Sequence, residues 1–267
     1  MERITASAQR KKRITRRRRP LLPPRVRRVI QRVRARIHAI LPNGEVQSLV
    51  LYGSYVYGKP RPDSDVDLML VYDDVTPEQE KALEELTIAL YEERPRPHLF
   101  LYRADELAKH NGVSTLLYNV SHRGITLEGV PVPEHEINRE RASSYLLAKA
   151  KQALVSAEAE LNIQIYDASI SRSFYAVLYA SEAALATKGL VAKSHDGIEM
   201  LFGYHFFKKK LVDAQFKGLF KRIHNARIKA DYKYDVEFTR DDAAYWFERA
   251  REFVAAIEAG LPQWLIE

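Results

Sequence analysis

Residues 51–68 read L-Y-G-S-Y-V-Y-G-K-P-R-P-D-S-D-V-D-L, and the fold of the first half of the chain turns on this stretch. The apolar run Ser48–Tyr52 predicts a short strand that ends at Gly53 and Ser54. A turn rich in Pro, Asp and Ser follows, and Val66–Val71 predicts a second strand. Asp65 and Asp67 lie two residues apart, so strand periodicity puts both carboxylates on one face. A glycine lets the backbone come close to a phosphate, and the next N–H groups and the Ser54 hydroxyl can donate to it. Two carboxylates on one face beside such a turn suit hard Mg²⁺ ions bridging a nucleoside triphosphate. A D-x-D on a strand, or a Gly-Ser after one, is common alone; the two in this order about ten residues apart are specific.

Outward from this core, the first half continues as an α/β pattern. Val26, Val29, Ile30, Val33, Ile37 and Ile40 share one helical face from Pro24 onward, with six arginines over the remaining surface. Pro42, Asn43 and Gly44 stop that helix. Residues 77–91 have helical spacing, His98–Tyr102 predicts a third strand, 105–120 a helix and 124–127 an edge strand. Gly129–Pro133 is the expected domain boundary. Beyond it the chain reads as all helix over 141–162, 166–188, 194–202, 207–230 and from Thr239 to Gly260 and Pro262. The expected domains are residues 25–130 and 136–262.

Charge is unevenly placed. Of 42 Lys and Arg, 14 lie in residues 10–36, which hold no Asp or Glu; the other 28 face 35 acidic residues. Residues 1–24, with Arg16, Arg17, Arg18 and Arg19 in a row and then Pro20, Pro23 and Pro24, read as a disordered basic arm able to touch RNA phosphates. The absence of cysteine excludes disulfides and thiolate metal sites. No apolar run reaches the length of a membrane span and no apolar signal core stands at the N-terminus, so the expected setting is cytoplasmic, with no membrane partner.

The string G-S-Y-V-Y-G followed by S-D-V-D-L, within residues 25–130, resembles the minimal nucleotidyltransferases of the DNA polymerase β superfamily. The resemblance implies an α+β domain with a small mixed sheet and helices. It also implies ATP as substrate, Mg²⁺ as cofactor, Gly53, Ser54 and Ser64 at the nucleotide, and Asp65 and Asp67 as metal ligands. Members of that family take a third carboxylate from a later strand, but no Asp or Glu lies between Arg94 and Arg103. His98 stands near that place. Imidazole is a poor Mg²⁺ ligand, whereas a neutral His98 could act as general base.

The second half carries S-I-S-R-S-F-Y-A-V-L-Y-A-S-E-A-A-L (169–185), K-G-L-V-A-K-S-H-D-G (188–197) and R-I-K-A-D-Y (227–232). These resemble a HEPN domain, an all-α helical bundle that often dimerises, is linked to RNA and accompanies minimal nucleotidyltransferases. Read without that resemblance, Phe174, Val177, Leu178, Ser181 and Leu185 form a core stripe with Tyr175 and Tyr179 beside it. His195 supports a helix start after Ser194. Arg227 and Asp231, one turn apart, predict an ion pair that fixes Tyr232. Ribonuclease members of the group carry a histidine four to six residues after the arginine; here Asp231 stands there and His224 precedes it, so RNA cleavage is not expected.

Two functions follow. One is a fused nucleotidyltransferase that moves AMP from ATP to a protein or RNA acceptor, in a toxin–antitoxin or defence setting, with Tyr232 as a candidate acceptor and the HEPN half as a homodimer surface. The other is a non-catalytic nucleotide- or RNA-binding module, or a subunit of a larger complex.

Overall fold

A computed structural model describes residues 22–233 and 236–266 of the 267-residue chain. The basic arm at 1–21, including Arg16–Arg19, lies outside the described residues. The described chain opens with α1 (Pro24–Ile40), where Pro24 fits the first helical position because its missing N–H needs no partner there. Val26, Val29, Ile30, Val33 and Ile37 are buried along one stripe, and the arginines lie outside it. The first half continues with β1 (Val46–Leu51), α2 (Ser54–Tyr57), β2 (Val66–Tyr72), α3 (Pro77–Ala89), β3 (Pro97–Arg103), α4 (Ala104–His110), α5 (Thr115–Arg123) and β4 (Ile125–Gly129).

The strands form one mixed sheet in the order β3-β2-β1-β4, with β2–β3 parallel and the other pairs antiparallel. Alternation divides the strand residues between two cores. Leu49, Leu51, Val66, Leu68, Leu70 and Leu99 pack with the α1 stripe and with Leu83 and Leu86 of α3. Val50, Tyr52, Met69 and Val71 face the other way, onto Leu107 of α4 and Leu117 and Val120 of α5. The odd positions of β2 point to this second side, which carries Asp67 at the strand's first turn.

The second half contains α6 (Arg139–Asn162), α7 (Tyr166–Thr187), α8 (His195–Phe202), α9 (Leu219–Tyr232) and α10 (Arg240–Ile266). Helix α7 is buried around most of its circumference and forms the axis of the bundle, packed by α6, α9 and α10. Its many alanines allow that close approach. The fold class is thus a small mixed sheet with helices followed by a helical bundle. No helix among the described residues is long and apolar enough to cross a membrane.

Three predicted helices differ from the observed ones. The span 105–120 is broken at Asn111, and α5 restarts on Ser114, whose hydroxyl accepts from the Leu117 N–H. The span 207–230 shortens to α9, because Asp213 caps a short 3-10 turn through Gln215 N–H. The last helix does not stop at Gly260 and Pro262. It starts on a reciprocal Thr239–Asp242 cap and runs to Ile266. Leu261 and Trp264 are buried beyond the expected stop, and the Trp264 carbonyl accepts from Arg139 and Lys188. Burying those two side chains offsets the backbone hydrogen bond that Pro262 cannot donate.

The two halves touch. Asn119 of α5 donates to the Ala192 carbonyl at 3.0 Å, and Thr115 donates to Glu182 of α7 at 3.5 Å. Tyr118 packs into a cluster with Ile137, Leu146, Ala183 and Val191.

Candidate active site

The site lies where β1 ends and β2 and β3 begin. The Tyr52 N–H donates to the Asp67 carbonyl at 3.0 Å, which pins the end of β1 to the start of β2. Gly53 then turns the chain at φ 71°, ψ −151°, a region essentially closed to other residues. A Cβ at Gly53 would stand 1.9 Å from Asp67 Oδ2, so the carboxylate lies directly against the turn that leads into Ser54 and α2. Glycine is required here both by backbone angle and by close approach.

The loop before β2 brings in the second acid. Ser64 Oγ accepts from the Arg61 N–H at 2.8 Å, while the Ser64 N–H donates to the Arg61 carbonyl. The Ser64 hydroxyl oxygen is therefore engaged in the turn that delivers Asp65. Asp65 is exposed and lines a cavity of about 410 Å³ together with Arg25, Asp63, Arg94 and Arg96.

His98 pairs in register with Asp67 across the parallel strands, and its Nδ1 lies 3.7 Å from Asp67 Oδ1. The Asp67 carboxylate beside it pushes the imidazole above its ordinary pKa against the effect of burial, and the Asp65 charge adds to this. The same carboxylate is felt by two phenols. Burial first, then Asp67, raises Tyr52; burial with a further push from Asp67 raises Tyr57. Asp65, Asp67 and His98 thus share one electrostatic neighbourhood.

Among the described residues no group of three His, Cys, Asp or Glu could hold a metal. Two carboxylates at a phosphate-sized turn fit Mg²⁺, which keeps several waters and takes one or two carboxylates plus substrate phosphates. The donor set suits a metal that arrives with a triphosphate better than one held by protein alone.

In the helical half, Arg227 Nε lies 2.6 Å from Asp231 Oδ2, and Ser171 donates to the other Asp231 oxygen at 2.6 Å. The Arg227 guanidinium sits over the Tyr232 ring at 5.3 Å, leaving the tyrosine 61% exposed. His195 does begin α8, behind the Ser194 cap. It also meets His224 edge-on at 5.7 Å, while His224 stacks on Phe174 at 5.1 Å. Burial, then the neighbouring His224 and Arg227, holds His195 below its ordinary pKa. The sequence gives no sign of this pairing, because the two histidines lie on different helices. It also gives no sign of Glu182, which is buried at the contact between the halves and pushed up to about 7.

Comparison with known proteins agrees with the division of the chain. Residues 28–119 match the family model described as "Nucleotidyltransferase domain", and residues 143–259 match that described as "HEPN domain". A Methanocaldococcus jannaschii protein named "Putative toxin MJ0142" is 29% identical over 45% of this chain and 81% of its own length. A "UPF0332 protein" of Thermotoga maritima is 28% identical over 45% of this chain and 91% of its own length. Among solved structures, a spectinomycin adenyltransferase from Enterococcus faecialis, determined with ATP and spectinomycin, is 13% identical. It aligns over 84% of this chain and 99% of its own, at a TM-score of 0.46, too loose to speak about the site. The chain joins a nucleotidyltransferase domain to a HEPN domain.

Proposed function

We propose that the chain binds ATP and Mg²⁺ at Gly53, Ser54, Asp65 and Asp67 and transfers AMP to an acceptor hydroxyl. The observation that carries this is the Asp67 carboxylate packed against the Gly53 turn, with Asp65 two residues before it in the loop that enters β2. Gly53 admits the triphosphate close to the backbone, and the Ser54 hydroxyl donates to it. Asp65 and Asp67 would hold the Mg²⁺, which supplies charge neutralisation on the phosphates. His98, one strand across from Asp67, takes the acceptor's proton once it is neutral. The acceptor oxygen bonds to the α-phosphorus, the α–β phosphoanhydride breaks and pyrophosphate leaves.

The close approach of His98 to Asp67 favours a second reading, a binding module with no turnover, because the carboxylate raises the imidazole pKa and so opposes the neutral form a base needs. Incubation with ATP labelled at the α-phosphorus separates the two. Under the transfer reading the wild type labels itself or a partner only with Mg²⁺, and Asp67→Ala abolishes the label. Wild type and Asp67→Ala that stay equally unlabelled, while wild type still binds ATP, leave only the binding module.

The relative named as a putative toxin, which matches 45% of this chain, supports a toxin–antitoxin setting. The exposed hydroxyl side of Tyr232 makes that residue an accessible protein acceptor, and an adduct on Tyr232 by mass spectrometry is the expected sign of self-modification. With Asp231 paired to Arg227 and no histidine after it, labelled RNA incubated in EDTA is expected to remain uncut. The HEPN half is proposed as the homodimer surface, which light scattering would test.

A further inference from the structure

β3 is an edge strand, and its face on the Asp67 side carries an unbroken row of rings. His98, Phe100 and Tyr102 occupy alternate positions, with centroids 6.2 Å and 6.0 Å apart; His110 of α4 closes the row edge-on at 6.0 Å from Tyr102. The row begins at the Asp67 carboxylate with its first two rings open, the His98 side chain 57% and Phe100 38% exposed, while Tyr102 is half-buried against the core under α4 and α5. Phe100 and Tyr102 then line a cavity of about 470 Å³ between the two halves of the molecule.

The opposite wall of that cavity comes from the helical half: Arg141, Tyr145 and Lys149 of α6, and Tyr179 and Glu182 of α7. Glu182 is a buried carboxyl whose hydrogen-bond partner is the Thr115 hydroxyl at 3.5 Å, so the floor of the cavity is polar. Lys149 and Tyr179 also line the adjoining cavity of about 670 Å³, with Tyr175, Arg172 and Arg227. Tyr175 and Tyr179 stack at 6.0 Å. The two cavities share Lys149 and Tyr179, and the ring row leads on from Phe100 to His98 beside Asp67; together they make a path along rings and cations.

The charge along this path selects its occupant. Arg141 makes no ion pair among the described residues, and the Lys149 ammonium rests on the Tyr179 and Tyr145 rings, 4.7 Å and 5.7 Å from their centroids. Of the acids nearby, Glu182 lies at the floor, Asp231 is bound by Arg227 and Ser171, and Asp105 is paired with Lys109, while Glu106 stands exposed and adds to burial in raising the Tyr102 phenol. A row of rings with Arg141 and the ring-bound Lys149 beside it suits a polyanion that carries flat apolar groups at regular intervals. An acidic peptide would satisfy the cations and leave the row of rings without a partner.

We propose that this path binds a single-stranded nucleic acid, with bases stacked on Phe100 and Tyr102, phosphates on Arg141 and Lys149, and the end of the strand beside Asp67. The placement of the end rests on the proposed transfer function; the path itself does not. For transfer to an acceptor other than Tyr232, it names the class as a single-stranded oligonucleotide.

The test is fluorescence anisotropy of the full chain with a labelled single-stranded oligoribonucleotide of about twelve nucleotides, in EDTA and without nucleoside triphosphate. Phe100→Leu keeps apolar bulk and removes the flat ring; it is expected to weaken binding about five- to a hundred-fold, with Phe100→Tyr restoring it. Lys149→Ala weakens binding and lowers the salt dependence. Because the assay holds neither metal nor nucleoside triphosphate, a failure of ATP binding in a separate titration would remove the proposed function and leave this inference standing. The inference is overturned by any of three results. The first is wild type that does not bind the oligonucleotide. The second is Phe100→Leu binding as wild type while Arg27→Ala with Arg28→Ala, on the outer face of α1, abolishes binding. The third is a duplex or an acidic peptide binding as tightly as the single strand.

Discussion

Replacing Gly53 by alanine tests the local geometry most sharply, because two separate costs meet at one atom. The backbone at φ 71°, ψ −151° lies in a region that a side chain strains by about 1–3 kcal/mol. The added methyl would also stand 1.9 Å from Asp67 Oδ2, 2.7 Å from its Cγ and 3.0 Å from its Cβ. No rotation of the methyl relieves such contacts, so either the Asp67 side chain swings away or the β1–α2 turn moves off β2. Gly189→Ala is the matching control: its φ is 65° and nothing lies within 4 Å of the new Cβ, so it pays backbone strain alone, about 1–2 kcal/mol. Urea unfolding should show Gly53→Ala losing more stability than Gly189→Ala. Calorimetric titration with Mg²⁺ and ATP should show at least a ten-fold loss of affinity in Gly53→Ala and none in Gly189→Ala, a difference of about 1.4 kcal/mol or more. A Gly53→Ala protein that binds Mg·ATP with wild-type affinity would refute the claim that Asp67 and the turn form one site.

Glu182 sets a pH dependence of stability. Its folded pKa, about 7, stands above the ordinary 4.5, so the folded state holds a proton that the unfolded state has released between those values. Stability from this group is therefore full below about pH 4.5 and falls as pH rises to about 7, by about 3 kcal/mol in total. Glu182→Gln should match wild type near pH 4.5 and exceed it at pH 8 in urea midpoint; a variant less stable than wild type at pH 8 would contradict this. Ile37→Ala, at a side chain 1% exposed in the α1 stripe, should cost about 2–5 kcal/mol, while Arg27→Ala on the outer face should change stability by less than about 0.5 kcal/mol. Equal melting points for the two would mean that α1 is not part of the folded domain.

Local pattern is legible in this sequence, and long-range contact is not. The α1 stripe and the strands around the two aspartates follow from periodicity, because each buries one face against a continuous core. Gly53 and Ser54 could be placed beside Asp67 because the strands that carry them are short and antiparallel, with Leu51 opposite Leu68. The helix ends at 111, 218 and 266 escaped the same reasoning. Apolar spacing continues across Asn111 and across 207–218, while caps at Ser114 and Asp213 restart the chain. Burial of Trp264 carries α10 past a proline that local rules treat as a stop. The ring row illustrates the same division. His98, Phe100 and Tyr102 alternate in plain view, but the wall opposite them comes from α6 and α7, beyond two intervening helices and a strand, and no local spacing announces it.

Asp65 and Asp67 are proposed to receive together a metal-bound triphosphate at the Gly53–Ser54 turn. A crystal soaked with Mn²⁺ and a non-hydrolysable ATP analogue, measured at a wavelength where manganese scatters anomalously, tests it directly. The account predicts an anomalous peak about 2.0–2.3 Å from oxygens of both carboxylates, with analogue phosphates against Ser54. A peak elsewhere, or an ordered analogue whose phosphates lie away from Gly53 and Ser54, would contradict it.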